Sequence, residues 1–465
     1  MKKVFTFVLS FIIITAAFMS VLNAQVSAEE TAPFAALPEP VLGDVDGDGV
    51  IAPADARLAL RCAVNLERLS ESAFKAADMD GDGEITPADA RTILRIAVGL
   101  PADEKEPENE LEKAVNDTMK KMSLREKVGQ LFVVMPEVLS PEIVNKRVSK
   151  TGIANVYSVS ESMKETYEKY PVGGFILFGG NISSGSQLKS FTSQLHALGS
   201  IRPFVYIDEE GGTVARIGNS GCINVQKYGN MQSIAETRDP ANAYALGEGI
   251  GSYLNEYGID LDFAPVADVN TNPYNPVIGR RAFGSEPVLA GKMVSAVISG
   301  LHSQGVGSCI KHFPGHGDTK TDTHKAYAET LKTWNEIKNC EMIPFEAGIK
   351  AGTDMVMAAH ISAPKVTGDG TPATLSYTLI TEKLRGELGY DGVVITDSMS
   401  MLAVADRYSP AEAAVKAIKA GVDIVLIPDC CAEAFNGIIN AVNSGEISVD
   451  RINESVRRVL TMKMK

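Results

Sequence analysis

The stretch "VGSCIKHFPGHGDTKTDTH", residues 306–324, begins as an apolar run and continues into a loop rich in polar side chains. It contains three of the six histidines in the chain. Near-continuous apolar runs are typical of parallel strands that are buried on both faces. The stretch therefore predicts a buried parallel strand whose carboxyl end carries the groups that do chemistry.

Seven further runs of the same kind occur along the chain, and most are separated by segments suited to helices. The eight predicted strands are "QLFVVM" (130–135), "GGFILF" (173–178), "PFVYID" (203–208), "IDLDFAP" (259–265), "VGSCIKHF" (306–313), "TDMVMAAH" (353–360), "DGVVITD" (391–397) and "VDIVLIP" (422–428). Eight β–α units in about 350 residues predict an α/β fold, a TIM (β/α)8 barrel. A doubly wound open sheet is the competing architecture, although the chain has no glycine-rich dinucleotide fingerprint.

Polar residues stand at or near the carboxyl ends of several of these strands, namely Asp208, Lys311, His312, His360 and Asp397. Barrel active sites are built at that end of the barrel, so the pattern predicts a site there. His360 fits the wall of a site and a satisfied core histidine equally well. We interpret Asp262 and Asp268, which flank the fourth strand, as residues that cap or shape the barrel rim.

The histidine loop is compatible with two kinds of chemistry. His312 and His316 have the spacing of a zinc-binding helix, but "FPG" disfavours a helix between them. Asp322 and His324 lie two residues apart, and in an extended segment such side chains point to the same side. The carboxylate can then orient the imidazole and raise its basicity. Acid–base chemistry is therefore favoured over metal binding, and Asp397 is a candidate carboxylate nucleophile.

Two similar segments near the N-terminus, residues 43–66 and 77–100, each contain the pattern D-x-D-G-D-G. Calcium prefers six or more hard oxygen ligands on a loop of about twelve residues with glycine at the sixth position. The predicted ligands are Asp44, Asp46, Asp48, the Val50 carbonyl and Asp55 in the first loop, and Asp78, Asp80, Asp82, the Glu84 carbonyl and Asp89 in the second. Each loop leads into a helical pattern, so the pair predicts a small all-α module that binds two calcium ions.

The first 28 residues have the pattern of a secretory signal peptide, with "MKK", an apolar run and small residues before Ala24 and Ala28. An uncleaved membrane anchor is the competing interpretation, and no other segment predicts a membrane span. Proline and charge mark residues 101–110 as a linker. The net charge of −14 argues against nucleic acid as a partner. Six cysteines are too sparse for a disulfide framework, and their pairing stays open.

The segments "KHFPGHGDTKTDTH", "IDEEGG", "IGRRAFGS" and "ITDSMSM" together resemble glycoside hydrolase family 3, in its β-N-acetylglucosaminidase branch, over roughly residues 115–465. The two calcium loops resemble a dockerin, the module that binds a cohesin on a cellulosome scaffold or a cell surface. Together with the patterns above, the resemblance predicts a signal peptide (1–28), a dockerin-like module (41–100), a linker (101–110) and a TIM-barrel hydrolase domain (111–465). It also implies a secreted protein held on such a scaffold or surface.

The resemblance further implies a role for each matching residue. Asp397 matches the nucleophile, His324 the general acid/base and Asp322 its partner. Asp208 and Arg216 fall where the family holds the hydroxyls of the terminal sugar, and Arg281, Lys311 and His312 match other sugar-binding positions. The implied reaction releases N-acetylglucosamine from a non-reducing end with retention of configuration, and it needs no cofactor.

Three alternatives stay open from the sequence. The chain could be a family 3 β-glucosidase or a β-N-acetylglucosaminide phosphorylase, which are enzymes that use related sugars. It could instead be a scaffold component whose barrel only binds glycans. The natural glycan, whether peptidoglycan, chitin or a host glycan, is not determined by these residues, nor are the cohesin partner and the oligomeric state.

Overall fold

A computed structural model describes residues 40–64, 66–100, 110–320 and 328–465. The chain forms two compact units, Met1–Glu108 and Asn109–Lys465. The predicted signal peptide lies outside the described residues, as does the predicted linker apart from its last residue, Glu110. Across the described ranges, every helix is too short or too polar to cross a bilayer.

The described part of the smaller unit contains three helices, Pro53–Ala63 (α1), Glu71–Ala77 (α2) and Pro87–Ala97 (α3). Proline is favoured at the first position of a helix because its missing N–H has no partner there in any case. Asp55 and Asp89 each accept the backbone N–H at the helix start, from Ala52 and Thr86, over 2.8 Å. The last residue of each predicted calcium loop is therefore also the third residue of a helix, where its carboxylate accepts the backbone N–H of the N-cap residue.

The larger unit contains eight parallel strands in one sheet. They are Phe132–Val134 (β1), Gly174–Leu177 (β2), Phe204–Ile207 (β3), Leu261–Asp262 (β4), Gly307–Phe313 (β5), Met355–Ala358 (β6), Val393–Thr396 (β7) and Val425–Leu426 (β8). The strands stand in chain order, β8 pairs with β1, and a single bridge from Ile395 to Ile424 links β7 with β8. The sheet is therefore a nearly closed barrel made of the eight predicted strands, and not an open doubly wound sheet.

Helices cover the outside of this barrel. They are Glu110–Lys121, Leu124–Gly129, Glu161–Lys169, Gly185–His196, Met231–Glu236, Pro240–Glu256, Pro287–Ser303, Trp334–Lys338, Met342–Lys350, Pro364–Thr367, Leu402–Ala405, Pro410–Ala420, Cys431–Asn443 and Val449–Met464, with a π-helix at Thr378–Glu387. Short 3-10 turns occur at Pro136–Leu139, Val148–Lys150, Gly179–Asn181, Gly279–Arg281 and Ala373–Leu375. Two helices approach closely at Gly247 and Gly300, where an added Cβ would lie 2.4 Å from a carbonyl oxygen of the neighbouring helix.

The core has two layers because strand side chains alternate between the faces of a sheet. On β3, Tyr206 points into the barrel with Phe263 and Cys309, whereas Val205 and Ile207 pack against the surrounding helices. Cys309 is fully buried, as expected for a core residue. All six cysteines are free thiols.

Candidate active site

A cavity of about 620 Å³ lies at the carboxyl ends of the barrel strands. The residues that line it include six of the predicted site residues, Asp208, Arg216, Arg281, Lys311, His312 and Asp397. They come from four separate parts of the sequence, and the parallel strands bring them to the same end of the barrel. Asp322 and His324, the predicted acid–base pair, lie outside the described residues.

The segment after β3 alternates between the cavity and the protein interior. Asp208 and Glu210 line the cavity, whereas Glu209 is fully buried. Successive side chains of an extended segment point to opposite sides, which accounts for this alternation. Glu209 accepts the N–H groups of Ile217 and Gly218, each over 2.8 Å. It therefore fixes the short hairpin that carries Arg216.

Lys311 is the central cation of the cavity. Its Nζ lies 2.7 Å from Oδ1 of Asp208 and 2.7 Å from Oε1 of Glu210. Its side chain is only 3% exposed. Burial lowers the pKa of a lysine, but the two carboxylates more than offset this and raise the pKa of Lys311 above its ordinary value. Lys311 is therefore a permanent positive charge at neutral pH.

Two arginines complete this network of charges. Arg281 binds Glu210 through two hydrogen bonds, from Nε over 2.8 Å and from Nη2 over 2.7 Å, in the bidentate geometry that favours such pairs. Arg216 lies 3.2 Å from Asp208 and 5.3 Å from the ring centroid of Phe178. Five groups form this charged array, namely Asp208, Glu210, Arg216, Arg281 and Lys311. The charged array is held rigidly because most of its groups have two partners.

The same cations lower the pKa values of the carboxylates. Burial acts to raise the pKa of Glu210, but Lys311 and Arg281 hold that pKa well below its usual range. Burial likewise acts to raise the pKa of Asp208, and Lys311 with Arg216 brings it below the ordinary value. Both carboxylates are therefore ionised at neutral pH and can accept hydrogen bonds from hydroxyl groups.

Lys311 and His312 both line the cavity although they are consecutive residues of β5. The pairing of β5 with β6 shifts register between Lys311 and Phe313. An irregularity of this kind re-aims a side chain that a regular strand would point elsewhere. The sequence contains no obvious sign of it.

Asp397 follows β7 and is half-buried in the cavity wall. Its N–H donates to the Ala358 carbonyl over 2.7 Å, and its Oδ1 accepts the N–H of Ser398 over 2.7 Å. These two bonds fix the carboxylate at the end of the strand. Met401 and Ile427 provide apolar wall beside it. The arrangement places a carboxylate, a set of fixed cations and an apolar surface around one space.

Other predicted positions have different surroundings. His360 is fully buried, and its ring nitrogens lie 2.9 Å from Thr374 Oγ1 and 2.8 Å from the Ser398 carbonyl. His360 is therefore a core histidine with both ring nitrogens hydrogen-bonded, and not part of the wall of the site. Asp262 accepts the N–H of Glu209, and burial raises its pKa well above the ordinary value.

Two residues near the cavity were missed as site residues by sequence reasoning, Glu210 and Asp268. The family resemblance assigns a role to Asp208 and none to Glu210, whose partner Arg281 lies 71 residues away in the sequence. Asp268 was interpreted as a rim residue, yet it contacts His312 across 2.7 Å. Neither contact has a local signal in the sequence.

The two loops of the smaller unit bring carboxylates together. Oxygens of Asp44, Asp46 and Asp48 lie within 4.8 Å of one another, as do those of Asp78, Asp80 and Asp82. Gly49 and Gly83, at the sixth position of each loop, have φ of +88° and +87°, a conformation that favours glycine. Clustered hard oxygens fit calcium, and a cation between them would relieve their mutual repulsion.

Comparison with known proteins agrees with both units. Residues 123–462 match the family model described as the N terminal domain of glycosyl hydrolase family 3, and residues 42–95 match the dockerin type I domain. The larger unit is thus a nearly closed parallel β/α barrel, and its polar groups lie at the carboxyl ends of the strands, where barrel enzymes have their active sites. The chain belongs to glycosyl hydrolase family 3.

Several relatives are similar to this chain. Beta-hexosaminidase A of Pseudoalteromonas piscicida is 33% identical over 348 residues, which cover 69% of this chain and 58% of the relative. The beta-hexosaminidase of Stenotrophomonas maltophilia (strain K279a) is 35% identical over 276 residues, covering 57% of this chain and 80% of the relative. The solved structure of a family 3 beta-N-acetylglucosaminidase from Paenibacillus sp. str. FPU-7 has 35% identity and a TM-score of 0.67. The match covers 74% of this chain and 62% of that chain, so this chain spans less than two thirds of it and of the P. piscicida relative.

Proposed function

We propose that the larger unit is a retaining exo-β-N-acetylglucosaminidase. One observation carries the proposal: the Asp397 carboxylate shares a cavity with the charged array centred on Lys311. The relatives named beta-hexosaminidase support the choice of sugar. We also propose that the protein is exported and attached to a scaffold or surface through its dockerin, as residues 1–28 and 42–95 suggest.

In the proposed reaction Asp397 attacks the anomeric carbon and forms a covalent bond as the glycosidic bond breaks. His324, oriented by Asp322, gives a proton to the leaving oxygen. It then takes a proton from water, which attacks the same carbon and releases Asp397. The ordinary histidine pKa of about 6.5 suits both steps near neutral pH.

The charged array is proposed to hold the terminal sugar during these steps. Asp208 and Glu210 are ionised and accept hydrogen bonds from sugar hydroxyls, whereas Arg216, Lys311 and Arg281 donate to hydroxyl oxygens. Because these groups already fix one another, little reorganisation accompanies binding. The sugar is therefore positioned against Asp397 by groups that do not move.

The first test is hydrolysis of p-nitrophenyl β-N-acetylglucosaminide beside the β-glucoside. We expect the wild type to prefer the former and Asp397→Ala to lose turnover. Asp391→Ala is the matched control, because Asp391 is an exposed aspartate just before the same strand, β7. Full activity in Asp397→Ala would overturn the mechanism.

The product of the same assay separates the alternatives. Addition of inorganic phosphate should leave the released sugar unphosphorylated, whereas a sugar phosphate would identify a phosphorylase. Preference for the β-glucoside would identify a β-glucosidase. Glycan binding without turnover in the wild type would favour the non-catalytic scaffold component.

His324 has a separate test. His324→Ala should slow hydrolysis of a disaccharide strongly, by roughly 100- to 10,000-fold, the range of general acid–base catalysis. The loss should be smaller for the p-nitrophenyl substrate, because its leaving group needs little protonation. Equal losses for both substrates would argue against His324 as the proton donor.

The smaller unit is proposed to bind two calcium ions and, when loaded, a cohesin. The proposed ligands are the five predicted oxygen donors of each loop. Calorimetry on the full chain should give two ions per chain, and one ion for Asp44→Ala or Asp78→Ala. Glu71→Ala is the control because Glu71 is exposed on α2, outside both loops. Cohesin binding that persists after calcium is chelated would contradict the proposal.

A further inference from the structure

Asp268, a residue that follows β4, is fully buried beside the cavity. Its Oδ1 accepts the backbone N–H groups of His316 over 2.6 Å and His312 over 3.3 Å. Its Oδ2 lies 2.7 Å from Nδ1 of the His312 ring. One carboxylate thus contacts both the backbone and the imidazole of His312, a residue that lines the cavity.

The contact determines which ring nitrogen of His312 carries the proton. An ionised carboxylate only accepts hydrogen bonds, so Nδ1 of His312 must be the donor. A neutral imidazole carries one ring proton, and its other nitrogen is then an acceptor. The structure gives Nε2 of His312 no hydrogen bond to any residue that it describes. Nε2 is therefore available as an acceptor in the cavity.

We propose that Asp268 is a positioning residue that holds His312 in the Nδ1–H tautomer, so that Nε2 accepts a hydrogen bond from a hydroxyl of the bound sugar. The proposal rests on the proposed function for the identity of the ligand. A neutral acceptor complements the charged array, because the two acceptors of that array, Asp208 and Glu210, are already shared with cations. The sugar hydroxyl can donate to Nε2 without competing with such a cation.

A purely structural role for Asp268 makes a different prediction. In that case its function is to anchor the backbone of His312 and His316, and the ring contact adds nothing to activity. The opposite end of the barrel offers a matched control in Asp260, which lies 2.9 Å from Nε2 of His196 and accepts the N–H of Val205. Asp260→Asn therefore changes another aspartate that contacts both a histidine ring and a backbone N–H, away from the cavity.

The tautomer itself can be measured without any activity. Long-range proton–nitrogen correlation spectra of protein labelled with isotopic histidine distinguish a protonated Nδ1 from a protonated Nε2. We expect wild-type His312 to be in the Nδ1–H form at pH about 8.5. The signal is assigned by its loss in His312→Ala. An Nε2–H form, or an imidazolium with both nitrogens protonated, would overturn the proposal.

A double-mutant cycle then tests the link to catalysis. Asp268→Asn should lower kcat/KM by roughly 10- to 100-fold, the range of hydrogen bonds to charged groups. In the His312→Ala background it should lower kcat/KM only a few-fold, because the ring that Asp268 orients is gone. Equal losses in both backgrounds would indicate an anchoring role alone and overturn the proposal.

A control variant and the wild-type spectrum distinguish failure of the Asp268 proposal from failure of folding or of the proposed function. Asp260→Asn should leave kcat/KM within about twofold of the wild type, and a loss as large as that of Asp268→Asn would count against a specific role for Asp268. If Asp268→Asn does not fold, the wild-type spectrum still decides the tautomer. If the wild type hydrolyses no N-acetylglucosaminide, the proposed function fails, but the tautomer measurement remains valid.

Discussion

The two ends of the barrel use similar charged groups in opposite ways. At the amino-terminal end, Asp260, Asp354 and Asp423 each stand just before a strand and accept a backbone N–H from the strand before it, over 2.6, 3.0 and 3.0 Å. At the carboxyl end, Asp208, Glu210 and Asp397 line an open cavity. Carboxylates at one end thus hold neighbouring strands together, whereas those at the other end face space that a ligand can fill.

Groups at the amino-terminal end stabilise the barrel, whereas groups at the carboxyl end are positioned to bind a ligand. Asp423 is surrounded by Arg385 at 2.6 Å, Arg458 at 3.2 Å and the hydroxyl of Ser455 at 2.6 Å. In the cavity, Asp208 contacts the side chains of Lys311 and Arg216, and Glu210 those of Lys311 and Arg281. We therefore expect substitutions at the amino-terminal end to lower stability and those at the carboxyl end to lower activity.

The largest expected effect is at the amino-terminal end. Asp423→Ala should lower the free energy of unfolding by about 3–5 kcal/mol, because it leaves several partly buried arginines without their fully buried partner. The kcat/KM of the protein that remains folded should not change. Urea denaturation followed by circular dichroism measures the first quantity, with Asp450→Ala, an exposed position, as the control. A loss of unfolding free energy below about 1 kcal/mol would contradict the stabilising role assigned to the amino-terminal end of the barrel.

The next effect is at the carboxyl end. Asp208→Asn should lower kcat/KM roughly 100-fold, equivalent to about 2.7 kcal/mol of transition-state stabilisation. The cause is the loss of an ionised acceptor for sugar hydroxyls. The free energy of unfolding should change by less than about 1 kcal/mol, because Glu210 still pairs with Lys311. A large stability loss with unchanged kinetics would show that Asp208 belongs with the structural group.

Glu210 gives a pH-dependent effect of intermediate size. Its folded pKa is below its unfolded pKa, so its stabilising contribution is complete above the ordinary value of about 4.5 and is lost as pH falls through the folded pKa. Glu210→Gln should therefore be less stable than the wild type at neutral pH, by about 2 kcal/mol. The gap should narrow steadily as pH falls below about 4.5. A constant gap in acid denaturation curves would contradict the assigned pKa direction.

The smallest effect concerns Lys463, at the amino-terminal end. Burial lowers its pKa from 10.5 to about 7, although Asp260 acts in the other direction. Between these two values the unfolded chain binds more protons than the folded chain, so stability rises with pH. The slope is at most about 1.4 kcal/mol per pH unit. Thermal unfolding between pH 7 and 8 should show this rise, about 1 kcal/mol in all, in the wild type and in Lys465→Met, but not in Lys463→Met.

Much of the fold could be predicted from the sequence because each buried strand leaves an uninterrupted apolar run. All eight predicted strands are present, but β4 contains only Leu261–Asp262 of the predicted 259–265. Pro265 has no N–H to donate to a neighbouring strand, so the ladder is interrupted there and only a single bridge, from Val266 to Lys311, follows. Strand length depends on pairing partners, and the sequence of one strand alone does not contain that information.

The site could be predicted in outline for a related reason. Polar residues at strand ends are conspicuous after apolar runs, and four of those predicted, Asp208, Lys311, His312 and Asp397, meet in one cavity. Arg216 and Arg281, which line the same cavity, were predicted only through the family resemblance. The roles of Glu210 and Asp268 could not be predicted, because their partners Arg281 and His312 are 71 and 44 residues away. The sequence could not decide whether His360 is a site residue or a core residue, because its hydrogen-bond partners Thr374 and Ser398 are known only from the structure. His324 and Asp322 remain predictions.

In "IDEEGG", acidic side chains alternate between the cavity and the interior, and this alternation restricts which mutations the segment can accept in evolution. Asp208 and Glu210 face the cavity while Glu209 anchors the hairpin inside, so the three acidic residues differ only in their phase along the chain. Exchanges of one acidic residue for another preserve that phase. The insertion or deletion of a single residue reverses it, turning the anchor outward and the sugar-facing carboxylates inward. In a library of variants, this segment should therefore accept exchanges of one acidic residue for another more readily than any change in length.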